Sequence, residues 1–125
     1  MSCGCSSGKG RLVYACSGAA NTGYLADQVA RRLSLQGKAK MTCLAGLGAD
    51  LPAFARSTVF AEENLVIDGC PTACGRLTFE RLGLTCRSLI LTEFGVEKGK
   101  SAITEELIAD MAARMAQTAD PVVEA

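Results

Sequence analysis

Apolar residues fall along this chain at two spacings. Short, nearly unbroken runs occur in "RLVYAC" (11–16), "NLVIDGC" (64–70) and "CRSLILTEFGV" (86–96). Runs of this length and make-up predict strands, and the continuous run at 64–70 predicts one buried on both faces. Between them the apolar positions spread out. Leu25, Val29 and Leu33 recur every four residues, with Asp27, Gln28, Arg31 and Arg32 on the other side. That period predicts a helix from a Thr22 cap to about Gln36, stopped by Gly37. "KAKMTCLAG" (38–46) predicts a second strand, broken by Gly46 and Gly48. Asp50 is placed to cap a short helix over Leu51–Phe60. Pro71 suits the first turn of a helix ending near Leu82, before Gly83. "EKGKS" reads as a loop. Thr104 then caps a last helix to about Gln117, with Glu105 and Glu106 in its first turn and Ile103 stapled against Ile108.

Strands alternating with helices predict an α/β fold: one three-layer domain around a mostly parallel four-stranded sheet. The expected strand order is 2-1-3-4, as in flavodoxin-like and small Rossmann-like folds. Residues 11–119 are expected to form this domain. Residues 1–10 read as a flexible lead rich in Cys, Gly and Ser, and 120–125 as a short tail.

Composition narrows the chemistry. The 13 basic and 13 acidic residues cancel, so no basic excess exists to hold nucleic acid or an anionic membrane. Neither is expected as a partner. There is no histidine, which removes every Cys-His or Ser-His catalytic arrangement within the chain and every zinc site built with His. There are seven cysteines. "MSCGCSSGKGRLVYACSG" has no apolar segment of signal-peptide or membrane-span length, so a cytoplasmic location is expected. In that compartment thiols stay reduced, and cysteines on this scale point to metal or redox work before structural disulfides.

Placed on the predicted strands, four cysteines share one rim of the sheet. Cys16 ends strand 1, Cys43 nearly ends strand 2, Cys70 ends strand 3, and Cys74 lies one helical turn further on. Ligands of open α/β sheets bind outside the carboxyl ends of the strands, at the point where the order switches. Neighbouring strands are about 4.8 Å apart, so these thiols can converge on one metal. Cys86 starts strand 4 at the opposite rim and reads as core packing. Cys3 and Cys5 form a C-x-C pair in the lead.

Three segments together, "CSGAANTG" (16–23), "KMTCLAGLGA" (40–49) and "VIDGCPTACGR" (66–76), resemble the DGC-domain family, which takes its name from the Asp-Gly-Cys at 68–70. The family is described as zinc-binding through four cysteines. By motif these correspond to Cys16, Cys43, Cys70 and Cys74. The resemblance thus implies a thiolate Zn²⁺ site, favours zinc over an iron–sulfur cluster, and leaves the reaction open.

The residues permit three chemistries. The first is that metal site, closed if all four thiolates bind. The second is metal-free redox or sulfur-transfer chemistry, with Cys70 activated at a helix N-terminus and Cys74 resolving; a small thiol or sulfur ligand would be the partner. The third rests on a C-x5-R match, in which Cys70 attacks and Arg76 grips an oxyanion, as in some phosphatases and arsenate reductases. That match is weak, because no Ser or Thr follows Arg76 and a solvated helix position is the favoured reading of the arginine. Asp68 is placed to accept from loop amides, Asn21 to support the first loop, and Lys98 and Lys100 lie in the loop after strand 4. No dinucleotide or Walker motif is present.

Overall fold

A computed structural model of the chain describes residues 10–119. Cys3, Cys5 and the rest of the lead up to residue 9 lie outside the described residues, as does the tail from 120. Within them the elements run β1 (Arg11–Ala15), α1 (Asn21–Leu35), β2 (Lys40–Met41), α2 (Leu44–Gly48), α3 (Pro52–Phe60), β3 (Glu63–Asp68), α4 (Cys74–Arg81), β4 (Arg87–Ile90), a 3-10 turn (Leu91–Phe94) and α5 (Glu105–Ala119). The strands form one parallel sheet in the order β2-β1-β3-β4, as the alternation predicts.

The two-residue period of a strand sorts the core into two halves. Val13, Ala15, Leu65, Ile67 and Leu89 point to one face and pack with α1 and α5 through Leu25, Val29, Leu33, Met111 and Met115. Tyr14 and Val66 point to the other and meet Leu47 of α2, Phe54 of α3 and Phe79 of α4. Both faces of β3 are therefore covered, which is why its sequence is apolar without alternation. The second half has a polar anchor. The Tyr14 hydroxyl donates to Asn64 Oδ1 at 2.9 Å and shares a 2.7 Å hydrogen bond with Thr58, while Asn64 Nδ2 donates to the Thr58 carbonyl. Burial pushes the Tyr14 phenol pKa up, so it stays a neutral donor. Its ring meets Phe79 edge-on at 5.0 Å.

Several boundaries differ from the sequence reading, each for a local reason. The segment 38–46 pairs with β1 only at Lys40 and Met41. It then turns into α2, with Cys43 as the capping residue. Asp50 does not cap α3. It sits at φ +67° as the link between two helices, and Leu51 precedes α3. α1 starts at Asn21, with Thr22 buried in its first turn. Pro71 lies in a turn closed by Ala73 N–H donating to the Cys70 carbonyl, and α4 begins only at Cys74. The predicted strand 86–96 stops at Ile90 and tightens into the 3-10 turn. Other signals hold as read. Thr104 Oγ1 accepts the Leu107 N–H at the head of α5. Gly37 and Gly83 both take φ +73° just past their helices, where only glycine is unstrained. No helix among the described residues is long and apolar enough to cross a membrane.

Candidate functional site

The carboxyl ends of β1 and β3 are held together by small residues. Gly69 follows β3 and lies against the first turn of α1; a side-chain carbon there would fall 2.4 Å from the Thr22 carbonyl oxygen. Gly23 in turn lies close on Gly18: a side-chain carbon there would fall 2.5 Å from the Gly18 carbonyl oxygen. These approaches draw the loop carrying Cys70 down onto the loop carrying Cys16. Gly69 N–H consequently donates to Cys16 Sγ at 3.3 Å. Ser17, just after Cys16, is forced into the left-handed region at φ +52°, and its hydroxyl donates to Asp27 Oδ1 at 3.0 Å. Non-glycine residues held there cost about 1–3 kcal/mol and cluster at functional sites.

Asp68, 1% exposed at the end of β3, accepts from the Gly75 N–H at 2.7 Å and the Arg76 N–H at 3.0 Å. It is thus a capping group for α4 supplied from the sheet, where the helix's own preceding residue, Ala73 at φ +53°, has no side chain to cap with. Gly75 permits this, since a side-chain carbon there would meet Val66 at 2.6 Å and Asp68 Oδ1 at 3.0 Å.

Cys70 sits in the bend between β3 and that turn, partly buried. Its thiol pKa is held below the usual range, first by hydrogen bonds from the Thr72 side chain and backbone and then by Lys98. Lys98 Nζ is 3.5 Å from the sulfur. The ammonium is delivered by Asn21, whose Nδ2 donates to the carbonyls of Glu97 (3.2 Å) and Ser101 (2.9 Å) and whose Oδ1 accepts from Gly99 N–H at 2.6 Å. The helix-N-terminus activation expected for Cys70 is therefore corrected: α4 starts four residues later, and local donors take its place. Cys74, the first residue of α4, is exposed.

Cys43 is exposed too, and its Sγ accepts the Gly46 N–H at 3.2 Å as the cap of α2. With Cys16 it lines a cleft of about 870 Å³ between α1, α2 and α4. A second cavity, about 630 Å³, lies at the far rim beside Cys86. Cys86 packs against the second half of the core, as read, and burial raises its pKa.

Cys16, Cys43 and Cys70 lie within two residues beyond the ends of β1, β2 and β3, each already taking a hydrogen bond. No group of three or more Cys, Asp or Glu side chains among the described residues is gathered to hold a metal ion. Arg76 is engaged elsewhere, its Nη1 bonded to Glu80 Oε2 at 2.7 Å. Its amide and that of Gly75, which a C-x5-R loop would offer an oxyanion, are both taken by Asp68. Sequence reasoning missed Thr72, although a Thr two positions after a loop residue is a recognised turn signal. It placed Asn21 in the first loop, whereas that side chain reaches residues 97–101.

A parallel α/β domain with thiols at its strand ends, one of them flanked by a Thr–Lys donor pair, is the class that fold and site define. The chain belongs to the DGC domain family, whose model matches residues 12–117. It is 40% identical over 89 residues to the anaerobic and virulence modulator AnvM of Pseudomonas aeruginosa, a span covering 70% of this chain and 67% of that protein. No solved structure matches it.

Proposed function

We propose that the chain does metal-free thiol chemistry, redox or sulfur transfer, with Cys70 as the nucleophile and Cys74 as the second thiol. The observation that carries this reading is Lys98 Nζ at 3.5 Å from the Cys70 sulfur; with Thr72 beside it, the setting favours the thiolate, the form that attacks. With a peroxide, attack gives the sulfenic acid and releases the alkoxide or hydroxide. Cys74 then condenses with the sulfenic acid, forming a disulfide and water. With a persulfide donor the outer sulfur passes to Cys70 and the donor leaves as a thiol.

A second reading is the thiolate Zn²⁺ site of Cys16, Cys43, Cys70 and Cys74, with an iron–sulfur cluster as its variant. It is favoured by the Gly69 N–H to Cys16 bond, which ties two of the four sulfurs to one loop. It requires the sulfurs to draw together, so no step is derived through a metal. Metal analysis with thiol counting, on protein purified without added metal, decides between the two. The expected result is no stoichiometric metal and one fast-alkylating thiol that is lost in Cys70→Ser. One zinc per chain, with four thiols shielded until a chelator is added, would sink the first reading in favour of the second.

A further inference from the structure

The cleft beside Cys16 has features that the Cys70 chemistry leaves unused. Its volume, about 870 Å³, falls in the range of small-molecule sites. Two thiols line it, Cys16 and Cys43, and the accessible one, Cys43, has its sulfur pinned by the Gly46 N–H. Part of its lining is apolar, from Met41, Leu44 and Phe54. The lining also includes the Asp27–Arg31 ion pair at 2.7 Å. A guanidinium has five N–H donors, and Asp27 engages the one on Nε. The strained Ser17 fixes Asp27 from below through its hydroxyl.

We infer that this cleft binds a low-molecular-weight disulfide bearing a carboxylate, and that Cys43 exchanges with it. The carboxylate meets the outer edge of Arg31, the methylene body lies against the apolar lining residues, and the ligand sulfur reaches Cys43. The Cys43 thiolate attacks one ligand sulfur. The ligand S–S bond breaks, a mixed disulfide forms on Cys43, and the other half leaves as a thiolate that takes up the proton Cys43 lost. The disulfide is itself the oxidant, so no other co-reactant is required. Cys16, partly buried against the core, is the thiol beside the product.

The inference rests on the reading that these sulfurs act as free thiols. Its test is made on metal-free Cys70→Ser protein, so that loss of the Cys70 chemistry and loss of the cleft are seen separately. Glutathione disulfide is the probe, with neutral 2-hydroxyethyl disulfide as the comparison, and adducts are mapped by peptide mass spectrometry. The expected adduct is on Cys43, with a rate that saturates in glutathione disulfide. At low concentration it exceeds the neutral probe's rate by about tenfold, the size of one charge-assisted contact. Arg31→Ala removes that preference and leaves the neutral rate unchanged. Ala45→Phe, at an exposed position on the lining, slows both probes by obstructing the cleft. A rate linear in probe with no preference between the two, or an adduct mapping first to Cys74 or Cys86, would overturn the assignment.

Discussion

Removing the Asp68 carboxylate tests how α4, and with it the Cys70 loop, is held. Asp68 is buried and accepts two backbone amides, at 2.7 and 3.0 Å, that have no partner within the helix. Hydrogen bonds to a charged acceptor contribute about 1.5–3 kcal/mol each, and a buried amide left without an acceptor carries its full desolvation cost. Asp68→Ala should therefore cost about 3–5 kcal/mol. For a domain of this size 1 kcal/mol corresponds to about 4 °C, so the expected fall in Tm is about 12–20 °C. Asp68→Asn keeps one acceptor oxygen and turns an NH2 toward the other amide, so about half the loss is expected. Urea titration followed by far-UV circular dichroism gives both numbers, with an unchanged m-value showing that the folded state is the one affected. Should Asp68→Ala not fold, the Asn variant and faster amide exchange at Gly75 and Arg76 carry the test. A cost within about 1 kcal/mol of the parent for Asp68→Ala would refute the capping role.

Gly69→Ala should be more damaging than its chemistry suggests. Its new carbon falls 2.4 Å from the Thr22 carbonyl, backbone against backbone, so a loss of about 3 kcal/mol or more is expected by denaturant titration. Gly48→Ala, whose nearest neighbour is a Thr78 methyl at 3.7 Å, is the control and should change stability by less than about 0.5 kcal/mol. Cys70 should alkylate with a pH midpoint below the 9.0 of a free thiol, because its neighbours favour the charged form. Thr72→Ala should move that midpoint up further than Lys98→Met, and salt should weaken only the Lys98 share, since that contact is exposed. A parent midpoint at or above the free-thiol value would contradict the donor geometry. Linked to folding, the sign is that any stability from the Cys70 thiolate is full above the unfolded pKa and is lost as pH falls through the folded one.

The architecture was legible because periodicity survives in every major element. Leu25, Val29 and Leu33 mark the inner face of α1, and the unbroken run of β3 announces cover on both sides. Strand order followed from the alternation of elements, and with it the placing of Cys16 and Cys70 at one rim. The boundaries that shifted are those decided by a partner distant in sequence. α4 waits until Cys74 because Asp68, seven residues before Gly75, supplies its cap. β2 ends at Met41 because Cys43 finds a helical amide to accept from instead of a neighbouring strand. The residues around Cys70 show the same limit. Lys98 lies 28 residues from it, and nothing in "EKGKS" reveals that Asn21, 76 to 80 positions before its contacts, anchors that loop. Sequence spacing also put four sulfurs on one rim without fixing which donor each would take.

The brevity of β2 has a consequence for how the molecule breathes. Only Lys40 and Met41 pair with β1, whereas β3 pairs along five residues of β1 and four of β4. Free energies of local opening follow such differences, with the least-anchored segment exchanging its amides first. The stretch from β2 through α2 is thus the seam along which the domain can part while β1, β3 and β4 stay zipped. Cys43 rides on that seam and Cys16 on the fixed side of it. Partial opening would then change the separation of these two thiols without unfolding the protein, and hydrogen exchange at residues 40–48 should run ahead of exchange at 63–68.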